Sequence, residues 1–358
     1  MIRIKLVILD SDANYISRLT NAFNANFSDR LEVYAFTKIE TFLDFIENNK
    51  VDVVLASDTF GFDAKVLPET TEFAYFVDSS SIDTLNNKKA ICKYTKIDVI
   101  YKSVLNLYSE NQTNVFGFKQ GEDGETKIIS FFPCSGGEGA SVISAAFCLN
   151  LAAKGKKVLY LNLEQFGVPG VFFNAEGSMG LSDLIFAIKS NKSNIVLKLE
   201  SSVKEDKSGV FFFGECNIPL DLMEMTSEDI QKLIEITRSS GLFDYVVIDI
   251  DMCMNSITKQ IMANSQKMIF VSDGSQVSNL KFGRIHKTLE IIEKQMRLNL
   301  LSKISVIYNK FNNNSSKYID IPNINNIGCV GEFGSVSSLI VARQISQMQL
   351  FDSFNNNI

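Results

Sequence analysis

The chain has 358 residues, of which 46% are hydrophobic and 21% charged, so it can fill two globular cores and wholesale disorder is excluded. Its net charge of −6 argues against DNA as a main partner, because neutralisation of phosphates by a basic face dominates nucleic-acid affinity. The sequence contains no run of about eighteen apolar residues and no signal-peptide pattern, so we expect no transmembrane helix and a cytoplasmic protein.

Strand and helix patterns alternate along the first 110 residues. Short apolar runs typical of strands occupy 4–10, 31–36, 51–57, 72–78 and 89–94, and helical spacing of apolar residues occupies 12–27, 39–49 and 97–110. Such alternation favours a parallel sheet covered by helices. Residues 1–110 are therefore predicted to form one α/β domain.

The composition then changes. Residues 111–125 are polar and contain glycine, which indicates a linker. The alternation restarts with a strand at 127–133 and a helix of small residues at 140–154. Residues 126–358 are predicted to form a second domain that ends in a short, frayed polar tail. The whole chain thus favours two doubly wound α/β domains with parallel sheets.

A glycine-rich turn joins the first strand and helix of this second domain. Glycines let successive backbone N–H groups turn toward an anion, and the helix N-terminus adds partial positive charge. A hydroxyl at the start of the helix can ligate Mg²⁺. The pattern predicts a phosphate-binding loop, and the alternative is a tight strand–helix turn without a ligand. The loop consists of Ser135, Gly136, Gly137, Glu138, Gly139, Ala140 and Ser141.

This loop resembles the deviant Walker A motif of the ParA/MinD ATPase family, whose pattern is K-G-G-x-G-K-[ST]. The glycines and the Ser141 hydroxyl match, but Ser135 and Ala140 stand where the family has lysines. The resemblance implies that the loop binds ATP and that Ser141 holds Mg²⁺. Phosphoryl transfer depends on positive charge near the phosphates, so we expect slow or absent hydrolysis. Lys281 and Lys310 are candidate substitutes for the missing lysines.

Later motifs follow in the order found in that family. Asn162 and Glu164 occupy its two acidic positions after the second strand and are the candidate catalytic residues. Asp249 ends a strand that resembles the Walker B strand, which implies a role in holding Mg²⁺. Asn309 and Lys310 stand where the family places its adenine-reading asparagine and the residue after it, which implies contact with the nucleotide.

The first domain resembles a response-regulator receiver. Asp10 and Asp12 would supply the acidic residues that follow the first strand, and Ser79 lies near the usual hydroxyl position. Lys93 stands where receivers carry a lysine before proline, although Tyr94 replaces that proline. The alternative interpretation is a flavodoxin-like domain without receiver ancestry.

The phosphate acceptor of this receiver-like domain is missing. Receivers carry a phosphorylated aspartate at the end of the third strand, whereas this chain has Ser57 there and Asp58 one position late. Phosphate transfer requires a carboxylate nucleophile beside a Mg²⁺-binding acidic pair. We therefore predict an atypical receiver that does not accept phosphate and serves as a docking or dimer surface.

The order of the two domains resembles TadZ/CpaE proteins, the pilus-assembly and localisation factors of Tad/Flp type IV pilus systems. The resemblance implies a cytoplasmic, ATP-bound homodimer, located at the cell pole or on the inner face of the membrane. It also implies that other pilus-assembly proteins are its partners.

Several other classes of protein stay as alternatives. A ParA-like partitioning ATPase would need a basic DNA-binding tract, and a transcriptional regulator would need a further DNA-binding domain. A MinD-like membrane ATPase would need a basic amphipathic helix, whereas residues 337–354 have one cation, Arg343, and favour a core helix. A metal-delivery ATPase would need paired cysteines, and Cys253 stands alone.

Overall fold

The computed structural model describes residues 3–111, 126–191, 194–216 and 218–351. The chain divides into two compact units. The first comprises Met1–Phe116 with Asn191–Ser202, and the second comprises Gly117–Ser190 with Val203–Ile358. The predicted linker at 111–125 lies outside the described residues except for its first position, and the predicted polar tail lies outside them entirely.

The first unit contains a six-stranded sheet in the order β2-β1-β3-β4-β6-β5. The strands are β1 (Ile4–Leu9), β2 (Leu31–Phe36), β3 (Val53–Ser57), β4 (Glu72–Val77), β5 (Thr84–Leu85) and β6 (Lys88–Cys92). The helices are α1 (Ala13–Phe27), α2 (Ile39–Asn48) and α3 (Ile97–Asn111), and short 3-10 turns occupy Asp58–Phe60 and Ala64–Val66.

The central strand β1 shows why this sheet forms. Its residues are buried on both faces, as expected for a parallel strand covered by helices on each side. Leu6 and Ile8 pack in one core with α1 and α3, while Val7 and Leu9 pack in a second core with α2. The period-two alternation of a strand thus divides one apolar run between two helix layers.

An antiparallel hairpin follows β4. Strand β5 pairs with β6 in the antiparallel direction, and Asn86 and Asn87 at the turn have φ of 49° and 59°. Asparagine tolerates this left-handed region better than most residues, which suits a two-residue hairpin. The sequence analysis predicted the strand that became β6 but not β5.

The second unit contains an eight-stranded sheet in the order β14-β13-β12-β7-β11-β8-β10-β9. The strands are β7 (Lys127–Pro133), β8 (Val158–Asn162), β9 (Lys204–Glu205), β10 (Val210–Phe212), β11 (Tyr245–Asp249), β12 (Lys267–Ser272), β13 (Ile304–Tyr308) and β14 (Asn325–Cys329). All pairs are parallel except the edge pair of β9 and β10.

Helices connect these strands. They are α4 (Ala140–Ala153), α5 (Leu181–Lys189), α6 (Ile195–Ser202), α7 (Pro219–Met223), α8 (Ser227–Ser239), α9 (Ser256–Asn264), α10 (Gln276–Met296) and α11 (Ser338–Ser346). Helix α11 buries Ala342 and Ile345, in agreement with a core helix at the end of the chain. Among the described residues, no helix has the length and apolar character needed to cross a membrane.

Strand β7 lies at a switch point of the second sheet. Its neighbours are β11 on one side and β12 on the other, and the chain leaves β7 toward β8 before it returns to β12. In open parallel sheets, ligands bind at the carboxyl ends of strands at such a point. The two sheets, each mostly parallel and covered by helices, confirm the predicted fold class.

Helix α4 follows β7 and lies in the middle of the second core. It is rich in alanine and other small residues, and Ile143, Ala146 and Phe147 are fully buried. Small side chains let the helix approach the sheet closely, so its N-terminus is fixed directly beyond the end of β7. This packing positions the glycine-rich turn between them.

Helix α6 belongs to the first unit although it follows α5 in the sequence. Leu197 packs in the core formed by α1, α3 and the sheet, and Glu200 accepts a hydrogen bond of 3.0 Å from the Tyr101 hydroxyl. Glu200 also lies 3.4 Å from the Arg30 guanidinium. The segment Asn191–Ser202 falls within the range 126–358 that the sequence analysis placed in the second domain, so the chain returns to the first unit there.

Candidate functional site

The glycine loop, residues 135–141, begins just after β7 and ends in the first turn of α4. Gly137 and Gly139 have φ of 82° and 81°, a left-handed conformation that costs free energy for residues with a Cβ. A Cβ on Gly139 would also lie 2.5 Å from Nδ2 of Asn309. The glycines at these two positions are therefore required by the backbone path and by the close approach of Asn309.

Asn309 supports the loop from the end of β13. Its side-chain amide donates a 2.8 Å hydrogen bond to the Glu138 carbonyl, and its backbone N–H donates to the Ser272 carbonyl. Asn309 is buried and lines the cleft beside the loop. The structure thus brings the predicted loop and the predicted adenine-contacting residue together.

Two lysines reach the loop from other elements. Lys310 donates from Nζ to the Gly137 carbonyl at 2.7 Å, and Lys281 of α10 donates from Nζ to the Ser135 hydroxyl at 2.8 Å. The sequence named both lysines as candidates but could not place either. Their ammonium groups lie at the loop that itself contains no lysine or arginine.

Glu138 turns its carboxylate back into the loop. Oε2 accepts a 2.7 Å hydrogen bond from the Ser135 N–H, and the residue is 3% exposed. Burial raises the pKa of Glu138, because the charged form loses solvation. One of the amide donors of the loop is therefore already occupied by a side chain of the same loop.

A buried acidic group lies beside the loop at the ends of β8 and β11. Asp249 pairs with Asn162 across the parallel strands, so both side chains lie at the same edge of the sheet. Oδ2 of Asp249 accepts hydrogen bonds from the Tyr160 hydroxyl at 2.6 Å and from Asn162 Nδ2 at 3.2 Å. Asn162 Nδ2 also lies 3.1 Å from Oε2 of Glu164, and Ser141 donates to Oε1 of Glu164 at 3.2 Å.

Asp249 keeps one oxygen free. The residue is fully buried, and its Oδ1 has no hydrogen-bond partner among the described residues. Burial, with a smaller contribution from the Glu164 charge, raises the pKa of Asp249 from 3.8 to about 7. A buried carboxylate oxygen without a partner is costly unless a cation or a proton occupies it.

These oxygen groups fit a magnesium ion. Mg²⁺ prefers oxygen ligands, and it commonly takes one or two carboxylates with the remaining positions filled by phosphates and water. The free Oδ1 of Asp249 and the Ser141 hydroxyl are oxygen atoms of this kind, and the Ser141 hydroxyl lies next to Glu164. No cluster of three or more His, Cys, Asp or Glu side chains within the described ranges is arranged for a metal, so the ion would depend on phosphates.

A cleft of 560 Å³ opens at the loop. Residues of the segment 332–341 also line it, including the apolar Phe333 and Val336, which precede the helical segment predicted from the sequence and were not singled out there. The glycines that flank Phe333 are the signal that could have drawn attention to this segment. The volume lies within the usual range for small-molecule sites, and the wall combines apolar surface with a polar loop.

The first unit contains a second polar group, the lysine cluster formed by Lys93, Asp10, Asp78 and Ser57. Lys93 Nζ lies 2.9 Å from Oδ2 of Asp10, 3.2 Å from Oδ1 of Asp78 and 3.2 Å from the Ser57 hydroxyl. Burial lowers the pKa of Lys93, but its bonds to Asp10 and Asp78 outweigh that effect and the net pKa is raised. The sequence analysis missed Asp78, although it directly follows β4.

The side chains at the other receiver-like positions bond elsewhere, although the backbone N–H of Asp12 donates to Oδ1 of Asp10 at 2.9 Å. Asp12 caps α1 by accepting from the N–H groups of Asn14 and Tyr15. Asp58 is exposed at the start of a 3-10 turn, and the exposed Ser79 bonds to the Ser81 hydroxyl. The cluster therefore contains a lysine and a buried carboxylate, as expected for a receiver. At the end of β3, however, it has a serine hydroxyl in place of the aspartate that receivers phosphorylate.

The cysteines give no further site. Cys134 and Cys148 are buried, whereas Cys253 and Cys329 are exposed. Free cysteine is among the most often buried residue types, so the composition predicts mostly buried thiols, and this prediction is wrong for this chain. Cys253 is the cysteine on which the metal-delivery alternative rests.

The fold and this geometry define an α/β domain with a P-loop-like glycine turn, preceded by a receiver-like domain. Residues 2–109 match the family model of the TadZ-like receiver domain, and residues 126–302 match that of an AAA domain. By these matches the chain carries a TadZ-like receiver domain followed by an AAA domain. No curated relative matches its sequence.

Solved structures share the fold of the second domain. A ParA family ATPase from Chlorobium tepidum TLS is 17% identical, with a TM-score of 0.52 over 65% of this chain and 98% of its own. The septum site-determining protein MinD from Pyrococcus horikoshii OT3, complexed with Mg-ADP, is 15% identical, with a TM-score of 0.50 over 64% of this chain and 93% of its own. At these identities the likeness establishes the fold alone.

Proposed function

We propose that the protein binds ATP with Mg²⁺ at the glycine loop and works as a positioning and assembly factor for a Tad/Flp type IV pilus. In this proposal it acts as a cytoplasmic homodimer at the cell pole and recruits other pilus-assembly proteins. The observation that carries the ATP-binding part is the free, buried Oδ1 of Asp249 beside the Ser141 hydroxyl and the loop.

In this proposal some residues of the site would contact the phosphates directly and others would hold the cation. Backbone N–H groups at 136–141 would face the phosphates, and the N-terminus of α4 favours negative charge there. Ser141 and Asp249 would hold Mg²⁺, which when bound neutralises phosphate charge. Tyr160 and Asn162 both donate to Oδ2 of Asp249, so they fix the carboxylate with Oδ1 toward the metal position.

Slow or absent hydrolysis is the expected chemistry. Asn162 has an amide where ParA/MinD proteins carry an acid, and an amide cannot accept a proton from an attacking water. Glu164 is the carboxylate that remains at the two acidic positions after β8, and both of its oxygens accept hydrogen bonds, from Ser141 and from Asn162. A carboxylate engaged in this way is a poor general base, and a loop without a cation stabilises the transition state poorly.

The family match supports the part of the proposal that concerns pilus assembly. The receiver domain of the TadZ-like type covers residues 2–109, and the pairing of that domain with a ParA/MinD-like domain is the arrangement expected for a Tad localisation factor. A protein that stays bound to ATP is suited to act as a stable assembly platform.

Within this proposal the receiver domain serves as a docking or dimer surface. Ser57 is fully buried and lies against Lys93, so no carboxylate nucleophile stands at the end of β3. Incubation with acetyl phosphate and Mg²⁺, followed by mass spectrometry, is expected to leave the protein unmodified. A covalent phosphate on Asp58 or Asp12 would contradict this role.

The first experiment is the nucleotide content of freshly purified protein, compared with a Gly137→Arg variant. We expect about one intact ATP per chain in the parent and none in the variant, because Gly137 has φ of 82° and lines the cleft, so an arginine side chain there would strain the loop and occupy space beside it. Gly155→Arg is the matched control, since Gly155 has φ of 75° and open space but lies in the turn after α4.

The outcomes separate the parts of the proposal. ADP alone would show that hydrolysis proceeds without loop lysines. Absence of nucleotide, with none bound when ATP and Mg²⁺ are added, would overturn ATP binding. Salt-sensitive DNA binding or pelleting with anionic liposomes would instead favour a partitioning or membrane-associated ATPase.

A further inference from the structure

The glycine loop has no positive charge of its own. From Pro133 to Val142 the single charged side chain is Glu138. Its carboxylate occupies the Ser135 N–H, which a phosphate could otherwise use. A loop of this kind offers fewer donors to a triphosphate than its glycine content indicates.

The walls of the cleft also carry negative charge. Four carboxyl side chains line the cleft, and they come from the loop, from the end of β8, from the segment after β11 and from the segment after β14. Lys310 is the cation among these lining residues. Carboxylates and phosphates are both negatively charged and repel each other. A polyphosphate in this cleft therefore needs compensating cations close to the loop. The four are Glu138, Glu164, Asp251 and Glu332.

Lys310 supplies positive charge in the cleft, and Lys281 supplies it at Ser135 of the glycine loop, outside the residues that line the cleft. Each ammonium group donates to a neutral oxygen, the Ser135 hydroxyl or the Gly137 carbonyl, and neither forms an ion pair with any residue that the structure describes. A lysine held against a neutral oxygen keeps its full charge for an anion. The two ammonium groups thus contact residues 135 and 137 of the loop, on either side of Gly136.

The helix that carries Lys281 is well fixed. Helix α10 begins at the N-cap Ser275, and Ser278 is buried next to the end of β12. Phe282, directly after Lys281, is fully buried and packs edge-on against Phe270 at a centroid distance of 5.3 Å. The backbone position of Lys281 is therefore set by the core, and the side chain extends from a rigid base to the loop.

We propose that Lys281 and Lys310 are the phosphate-binding cations of this site and that Lys281, held by the Ser135 hydroxyl, is a specificity-determining residue for the terminal phosphates of ATP. The inference rests on the proposed binding of ATP in this cleft. It assigns a binding role to an exposed helix residue outside the glycine loop, and it makes discrimination between ATP, ADP and AMP a property of α10 and the end of β13.

The test is a series of affinities for ATP, ADP and AMP, measured with Mg²⁺ at low salt by titration calorimetry. Lys281→Met and Lys310→Met are expected to weaken ATP binding about tenfold or more each, as for loss of a charge-assisted hydrogen bond, and AMP binding less than about twofold. Lys287→Met is the matched control, because Lys287 is exposed on the same helix and is expected to leave the whole series unchanged.

A relocated charge provides the second measurement. Ser135→Lys combined with Lys281→Met returns an ammonium group to the loop and is expected to restore at least half of the lost ATP affinity on a logarithmic scale. Thermal melting of each variant confirms folding. Equal losses for ATP and AMP would show that the lysines only hold the loop, and unchanged ATP affinity in Lys281→Met would also overturn the inference while leaving ATP binding intact. Failure of the parent protein to bind ATP would remove the proposed function and this inference together.

Discussion

In the first unit Lys93 lies between the carboxylates of Asp10 and Asp78, whereas in the second unit Lys281 and Lys310 lie against neutral oxygens. Both units lack a residue type that phosphate chemistry commonly uses: a carboxylate at the end of β3 in the first unit and a lysine on the glycine loop in the second. The first has filled its site with an internal ion pair, which leaves little charge for a ligand. In the second, the two ammonium groups form no ion pair with any described residue, and one carboxylate oxygen, Oδ1 of Asp249, has no hydrogen-bond partner there. The comparison teaches that a site without its usual chemistry can be either closed or open to a ligand, and that the charge balance tells which.

The largest expected effect is a loss of stability in the lysine cluster, where Lys93 is paired with carboxylates of its own unit. Lys93→Met would leave Asp10, which is 2% exposed, without its cation, and we expect the free energy of unfolding of the first unit to fall by about 3–5 kcal/mol. Hydrogen exchange of the β1 and β3 amides reports on this unit separately. Lys89→Met is the control, because the exposed ion pair of Lys89 with Glu110 should contribute less than about 1 kcal/mol. Equal effects of the two substitutions would break the comparison.

The next effect is the pH dependence of stability that the buried Asp249 of the second unit should cause. The folded-state pKa of Asp249 is about 7 and lies above its ordinary 3.8, so the folded protein binds more protons between these values. Its contribution to stability is present below about pH 4 and is lost as the pH rises through 7. Without Mg²⁺, we expect the parent to lose about 2–4 kcal/mol relative to Asp249→Asn between pH 5 and pH 8. Urea unfolding of both proteins at the two pH values measures this difference, and parallel pH profiles would contradict it.

A smaller effect is expected at the hydroxyl that fixes Asp249. Tyr160→Phe removes a 2.6 Å hydrogen bond to Oδ2 and keeps the packing of the ring against Phe173. A hydrogen bond to a charged group contributes about 1.5–3 kcal/mol, so the loss should be of that order at pH 8 and smaller at pH 5, where the carboxylate is protonated. Tyr245→Phe, at the other end of the neighbouring strand β11, is the control. An equal loss at both pH values would mean that the bond does not depend on the carboxylate charge.

The smallest effect completes the comparison with Lys93. Because Lys281 is exposed and bonds only to the Ser135 hydroxyl among the described residues, Lys281→Met should change the free energy of unfolding without nucleotide by less than about 0.5 kcal/mol. Added ATP should stabilise the parent more than the variant, since ligand that binds the folded state raises its stability. Thermal melting with and without ATP and Mg²⁺ measures both quantities. A large loss without nucleotide would place Lys281 with Lys93 as a structural lysine.

The sequence predicted those parts of the fold that follow from local patterning. Strands such as β1, β7 and β11 are short apolar runs buried on both faces, and the alternation with helices was sufficient to predict two parallel sheets. The region between β8 and β11 was left without predicted elements. One signal was available there, since Thr226 and Asp229 form a capping box at the start of α8. The two-residue strand β9 carries too few residues for any pattern.

The candidate site was predictable only in its order along the chain. Motif order brought the loop, Asn162, Asp249 and Asn309 into one list, and parallel strands then place their ends at one edge of the sheet. The bonds from Lys281 and Lys310 depend on where α10 and β13 pack, 146 and 173 residues away from their partners. No local pattern reports such contacts. The internal bond of Glu138 was equally hidden, because a glutamate in a loop usually points to solvent.

The placement of α6 has a consequence for synthesis of the chain. The first unit acquires its last core residue, Leu197, only when α6 has been made, roughly 90 residues after the end of α3. At ordinary translation rates this delay is roughly 5–20 s, during which the α3 surface waits uncovered while β7, α4 and β8 emerge from the ribosome. A fragment that stops at residue 111 keeps this surface exposed permanently. Maturation of the two units is therefore interleaved in time, and a ribosome stalled between α5 and α6 would hold an N-terminal unit that is still open to chaperones.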